Sequence, residues 1–377
     1  MMNCAIMESK EMNVPQFKSF IDKEDYRALE GVFENNYIAE GPFSKKFHDE
    51  LLDIIGAKYG VFASNGTLAL YLALKAIGIK PGDEVIVQNT TFIASANAVE
   101  MVGAKPIFVD VVSHDDLSID LEKIVLTSKT KAIMICHLFG TACSNTKEVK
   151  KYCESNNILL VEDAAQALAI TDLSGKHCGT FGKVGTFSFY ADKTITTGEG
   201  GFVVTDDKKV YEKMLFLRNQ GRKNSGTFIH PEIGYNFRIT DMQGALGLSQ
   251  LKKLPYIIKE KQKLYNKYFD KLKDHVDFLA INSNFKHVPF RVVVFVSNAE
   301  KTIELMGGKG IEGRSVFFPL NKQPCYDSND DLFEESEKCY KKGICLPTWV
   351  GLSDDAINHV CKYLIEFSNN HSGNSIQ

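Results

Sequence analysis

The run Gly60-Val-Phe-Ala-Ser-Asn-Gly-Thr-Leu-Ala-Leu-Tyr-Leu-Ala-Leu-Lys-Ala-Ile77 decides the fold. Gly60–Ser64 reads as a short apolar strand, the residues after it as a turn, and Leu68–Ile77 as a helix. Pro81-Gly-Asp83 then turns the chain into a second apolar strand, Glu84-Val-Ile-Val-Gln88. The period continues through helix Ser95–Met101, strands Lys105–Val111 and Lys131–Leu138, helix Lys147–Asn156, and strands Ile158–Glu162, Val184–Tyr190 and Gly201–Thr205. Continuous Val/Ile/Leu/Phe runs alternating with helices predict an α/β domain, a largely parallel seven-stranded sheet covered on both faces.

On either side of this core the texture changes. Residues 1–15 carry no periodic pattern and read as a poorly ordered lead-in, whereas Ile21 to Ile55 shows two helices interrupted at Glu40-Gly-Pro42. Beyond residue 245 come a long amphipathic helix (Ile257–Val276), a strand (Phe290–Val296) and helices Ala299–Met306 and Asp355–Phe367. This predicts a large domain with an N-terminal helical segment over 16–250, the boundary lying in Leu246–Pro255. A smaller C-terminal α+β domain over 251–370 and a mobile polar tail at 371–377 complete it.

At 377 residues the chain is long enough to bury a substantial core. Lys and Arg number 44 against 47 Asp and Glu, a balance that gives no electrostatic argument for nucleic acid. The nine cysteines show no Cys-x-x-Cys spacing and cannot all pair, so they read as free thiols of a reducing cytoplasm. No apolar run approaches membrane-spanning length, and no membrane partner is expected.

In open parallel sheets, ligands sit beyond the carboxyl ends of the strands, so residues there are the candidates for chemistry. Lys193 lies between an apolar strand and the glycines of Gly198-Glu-Gly-Gly201. It is either an exposed lysine at a hairpin tip or a desolvated amine able to attack a carbonyl carbon. Ser64-Asn-Gly-Thr67 is either an ordinary helix N-cap or a phosphate cradle at a helix start. Asp163, after the strand Ile158–Glu162, is either a helix cap or the carboxylate that keeps a pyridine ring nitrogen protonated. Thr91-Phe92 offers an aromatic face for core packing or for stacking on a flat ring. A reactive amine, a ring-nitrogen carboxylate, an aromatic lid and a phosphate cradle at the strand ends of one sheet are what pyridoxal phosphate requires.

The runs Ser64-Asn-Gly-Thr-Leu-Ala-Leu70, Glu162-Asp-Ala-Ala-Gln166, Gly179-Thr-Phe-Gly-Lys-Val-Gly-Thr-Phe-Ser-Phe189, Lys193 with Gly198-Glu-Gly-Gly201, and Ile233-Gly-Tyr-Asn-Phe-Arg-Ile-Thr-Asp241 resemble the DegT/DnrJ/EryC1/StrS aminotransferases. The likeness is specific from Ile38 to Leu251, looser to Phe367, and within the family most similar to the GDP-perosamine synthase branch. It implies the fold type I, aspartate aminotransferase-like architecture. It also implies a transaminase using pyridoxal 5′-phosphate, with pyridoxamine 5′-phosphate as its intermediate form.

Carried over by position, the resemblance makes Lys193 the Schiff-base lysine and proton carrier and Asp163 the partner of the ring nitrogen. Gln166 would contact the ring hydroxyl, Phe92 would stack, and Gly66, Thr67 and Ser188 would bind the phosphate. Asn236 would reach the phosphate of a neighbouring subunit, which implies a homodimer with shared active sites. The donor would be L-glutamate and the acceptor a keto sugar nucleotide of the 4-keto-6-deoxyhexose type in surface-glycan or deoxyaminosugar biosynthesis. Arg222, Arg238 and Arg314 are candidates for anion recognition, with surface ion pairing as the other reading. A smaller phosphorylated ketone as acceptor, sugar dehydration and a regulatory protein retaining the fold are the alternatives. Dehydration goes with histidine at the position of Lys193, and the intact lysine, aspartate and glutamine oppose a purely regulatory role. Three segments depart from the family pattern: Lys183, Gly140-Thr-Ala-Cys-Ser-Asn145, and Lys286-His-Val-Pro-Phe-Arg291.

Overall fold

The computed structural model describes residues 12–369 apart from 224, 225, 227 and 327–331. The tail expected at 371–377, and residues 1–11 of the expected lead-in, lie outside the described residues. The lead-in reading fails at Val14, which is buried, donates its N–H to Gly310 O (2.7 Å) and accepts from Glu312 N–H (2.9 Å). A single residue bridged to the distant Ile311 leaves no periodicity to read.

The chain begins with α1 (Lys23–Glu34) and α2 (Pro42–Ile55). It continues through β1 (Tyr59–Ala63), α3 (Gly66–Ala76), β2 (Glu84–Gln88), α4 (Ala94–Met101), β3 (Lys105–Val109), β4 (Thr130–Cys136), α5 (Thr146–Asn156), β5 (Leu159–Asp163), β6 (Val184–Ser188), β7 (Gly201–Thr205) and α6 (Lys208–Arg218). These strands form one sheet in the order β1-β7-β6-β5-β4-β2-β3. Only β7 runs against its neighbours; the remaining pairings are parallel. The carboxyl ends of β1, β2, β4, β5 and β6 therefore converge on one edge.

Alternation along the strands splits the core in two. Val61, Val85, Val87, Met134, Val161 and Val203 face the layer of α3, α4 and α6, while Phe62, Ile86, Ile133, Leu160, Phe202 and Val204 face that of α2, α5 and α7 (Asp241–Leu272). Both faces being covered, the strands carry no polar stripe, as their unbroken apolar runs require.

Helix α7 is longer than the amphipathic segment read from the sequence, because Thr240 and Gln243 build a capping box well before Ile257 and Pro255 is accommodated inside the helix. Leu248, Leu251, Leu254 and Ile257 pack in the large-sheet core; Leu264, Tyr268 and Leu272 pack in the core of the second sheet. That second sheet is antiparallel. It is built from β8 (Asp277–Phe278), β9 (Val292–Phe295), β10 (Arg314–Ser315) and β11 (Gly343–Leu346), with α8 (Ala299–Gly307), α9 (Glu334–Lys342) and α10 (Asp354–Asn369) packed around it. Helices α6 and α9 and the short strands β8, β10 and β11 had no distinct signal in the sequence.

Candidate active site

A cavity of about 720 Å³ opens where the strand ends meet the second sheet. Gly66, Thr67, Phe92, Asp163, Gln166, Ser188, Lys193 and Arg314 all line it. Asn236, Arg222 and Arg238 do not. Arg222 and Arg238 line a separate depression with Arg218 and Lys213, and Asn236 is an exposed residue accepting from Arg238 Nε (3.0 Å).

The local geometry bears on each alternative left open by the sequence. Lys193 does sit in a β6–β7 hairpin, but it turns inward, with 16% of its side chain exposed and Nζ 4.8 Å from the centre of the Phe290 ring. Burial lowers its pKa; Asp192 and Asp163 oppose that shift and Arg291 adds to it. At the start of α3, cap and cradle coexist. Asn65 Oδ1 accepts from Leu68 N–H (2.9 Å), while Gly66 and Thr67 occupy the first helical turn, where N–H groups have no intrahelical acceptor. An added Cβ on Gly66 would lie 3.0 Å from Ser188 Cβ, so glycine keeps this corner open between the helix start and β6.

Asp163 is no ordinary helix cap. Its carboxylate accepts from Ala165 N–H (3.1 Å) and Ser95 Oγ–H (2.8 Å), both neutral donors, and burial raises its pKa against the opposing pull of Ser95, Ala165, Lys193 and His137. A buried carboxylate with neutral partners fits a cationic ring nitrogen. Gln166 Oε1 accepts from Phe139 N–H (2.7 Å), which leaves its amide NH₂ as a donor to the cavity. Phe92 is 57% exposed, far too much for a core residue, and tilts against Phe317 at 5.9 Å. The amine, the acid, the aromatic faces and the N–H cradle thus fit pyridoxal phosphate on the donor set alone.

The second sheet brings residues the sequence reading missed. The turn after β4 places Phe139 and Gly140 at positive φ (55° and 96°), and a Cβ on Gly140 would lie 2.1 Å from Val288 O. This close approach allows Val288 N–H to reach Gly140 O (3.1 Å) and Phe290 N–H to reach Phe139 O (3.1 Å). Two of the three segments that depart from the family pattern, 140–145 and 286–291, are therefore one structural unit, and it delivers Phe290 and Arg291 to the cavity wall. Arg291 Nη2 donates to Asp192 Oδ2 (2.7 Å). The third departure, Lys183, pairs with Asp207 and does not line the cavity. Ser95 was readable only as the first residue of a helix; Asp192 could have been found by its adjacency to Lys193.

A mostly parallel sheet of this order, with a desolvated lysine and a buried acid at its strand ends, defines a fold type I enzyme dependent on pyridoxal 5′-phosphate. Helicobacter pylori PseC, an aminotransferase involved in the biosynthesis of pseudoaminic acid, superposes with a TM-score of 0.89 at 26% identity, over 95% of this chain and 100% of that one. GDP-perosamine synthase of Escherichia coli O157:H7 is 35% identical over 360 residues, covering 94% of this chain and 98% of the relative. That of Vibrio cholerae is 32% identical over 94% and 99%. The model of the DegT/DnrJ/EryC1/StrS aminotransferase family matches residues 19–365. The chain belongs to that family and is a pyridoxal-phosphate-dependent transaminase. Among the described residues no helix is long and apolar enough to cross a membrane, and the eight described cysteines are free thiols.

Proposed function

We propose that this enzyme moves an amino group from L-glutamate to a keto sugar nucleotide of the 4-keto-6-deoxyhexose type, in deoxyaminosugar or surface-glycan biosynthesis. The observation that carries the reading is the meeting of Lys193, Asp163 and the Gly66-Thr67 cradle in one cavity whose volume, about 720 Å³, leaves room beyond a cofactor ring. The acceptor class is supported by GDP-perosamine synthases, named for a GDP-linked amino sugar, at 32–36% identity.

In this reading Lys193 holds the cofactor covalently. Bound pyridoxal phosphate supplies an electron-withdrawing ring that eases loss of a proton from the carbon beside the nitrogen. Once the donor's amine has displaced it from the cofactor, Lys193 Nζ would take and return that proton, its lowered pKa keeping the freed amine neutral. Asp163, oriented by Ser95, would stay ionised to meet the ring nitrogen, Gln166 would donate to the ring hydroxyl, and Phe92 would offer its face to the ring. Gly66, Thr67 and Ser188 donate to the phosphate, and Arg314 is the sequence-derived substrate arginine that faces this chain's own cavity. Asn236, exposed and outside this chain's own cavity, would serve the site of a second copy of the chain in a cytoplasmic homodimer.

Glutamate-dependent amination of a panel of keto sugar nucleotides and three-carbon keto phosphates tests the acceptor, and turnover with the keto phosphates alone would reject it. Lys193→Ala should abolish both the cofactor's lysine-dependent absorbance band and turnover. Retention of turnover would reject the mechanism.

A further inference from the structure

We infer that Arg291, with Arg314 beside it, takes the carboxylate of the amino donor, an assignment that rests on the aminotransferase reading and adds a donor subsite to it. Arg291 is 6% exposed and lines the cavity. One arm, Nη2, is committed to Asp192; the other, Nη1, is buried and has no hydrogen-bond partner. A guanidinium N–H group buried without an acceptor is costly, and a side chain that lines a cavity while carrying one is a candidate to take an acceptor from outside the chain. Guanidinium matches a carboxylate's two oxygens in plane and charge.

Arg291 does not stand alone. The guanidinium carbons of Arg291 and Arg314 each lie 5.6 Å from the centre of the Phe17 ring, so one aromatic side chain props both. Phe17 is itself held across the cleft: Gln16 Nε2 donates to Leu346 O (3.3 Å) and Ser19 Oγ–H to Ala191 O (2.6 Å). Behind Phe290 lies Lys261, its Nζ 5.6 Å from the ring centre, its pKa pushed down to about 7 by burial and by Arg291. The cavity wall carries Lys193, Arg291 and Arg314 against Asp163, Asp192 and the exposed Glu199.

Distance decides which anion fits. Asp192 reaches both sites, its Oδ2 2.7 Å from Arg291 Nη2 and its Oδ1 3.7 Å from Lys193 Nζ. The Arg291 guanidinium is therefore one side chain away from the reactive amine. A donor's α-carboxylate is one bond from the carbon that gives up its proton. The diphosphate of a sugar nucleotide is separated from its keto carbon by the sugar ring, so the carboxylate is the group that can sit here while the reacting carbon reaches Lys193.

The test uses glutarate, an unreactive dicarboxylate, titrated calorimetrically into the apoprotein, and the half-reaction of the cofactor-loaded enzyme with L-glutamate and with L-alanine, followed by absorbance. Losing a charge-assisted hydrogen bond should raise the glutarate Kd and the half-saturating donor concentration about 10- to 100-fold in Arg291→Ala. Arg291→Lys should fall between, and Arg314→Gln should show a smaller effect. Added guanidinium should restore affinity to Arg291→Ala, which a folding defect would not allow. Unchanged glutarate and donor affinity overturns the assignment, as does a loss confined to GDP binding, which would give Arg291 to the acceptor's diphosphate. A wild-type enzyme inert toward both amino acids would instead overturn the proposed function, and the glutarate titration would still decide the role of Arg291.

Discussion

Glu162 and Asp163 are neighbours on β5, both buried, yet they lie on opposite faces of the strand and do opposite things. Glu162 is fully furnished: Oε2 accepts from His137 Nε2 (3.0 Å) and Gly179 N–H (2.7 Å), and Oε1 from Gly182 N–H (2.6 Å). His137 Nδ1 accepts from Cys143 N–H, so the ring proton is on Nε2 and points at Glu162. That acid ties β4, β5 and the Gly179–Gly182 loop together. Asp163 has two neutral donors and a raised pKa, which makes it poor for stability and well suited to a cation that arrives with the cofactor. Buried charge that is satisfied within the chain is structural; buried charge left under-satisfied at a strand end faces a ligand.

Asp163→Asn should show the largest effect on chemistry, about a 10²- to 10³-fold loss of turnover with the cofactor still attached at Lys193. It should also help the apoprotein. The raised pKa of Asp163 means that its ionisation costs folded-state stability. That cost is absent in acid, where both states are protonated, and develops as pH rises from the unfolded to the folded pKa. Above that window the urea midpoint of apo Asp163→Asn should equal or exceed the wild type's, and the difference should close toward acid. A variant less stable at every pH would break the contrast with Glu162.

Glu162→Gln should do the reverse, destabilising the fold by about 2–4 kcal/mol through the unmatched donors it leaves, while the folded enzyme keeps turnover to within about tenfold. The urea midpoint and turnover measured on one preparation decide this. Ser95→Ala, which removes a donor to Asp163 and nothing from Glu162, should lower turnover about tenfold and cost the fold about 1–2 kcal/mol, less than Glu162→Gln. Phe92→Ala, at the exposed rim of the Asp163 side, should weaken cofactor binding only about 2- to 10-fold, read by equilibrium dialysis.

The strand ends were legible because covered parallel strands announce themselves as apolar runs, and chemistry in such a sheet is confined to the residues just past their carboxyl ends. Lys193, Asp163, Gln166 and the Ser64–Thr67 junction all lie within a few residues of a strand's end, so local pattern sufficed. Arg291 and Phe17 were not legible. One enters the cavity from the second sheet, delivered by a backbone contact between Gly140 and Val288, and the other from a segment outside any helix or strand, held by a bridge to Ile311 and by scattered long-range hydrogen bonds. The mismatch of segments 140–145 and 286–291 to the family pattern was visible, but that they mismatch together was not.

The sequence by itself determined the α/β sheet, the lysine and its acid, because side-chain period and position after a strand are properties of a dozen consecutive residues. Only the tertiary structure decided that Lys193 turns inward, that Phe92 stays exposed, that Arg222 and Arg238 lie outside the cavity, and that Arg291 lines it with an unpartnered Nη1. Burial, pKa and partner choice are set by what distant parts of the chain place within a few ångströms, and no local pattern encodes that distance.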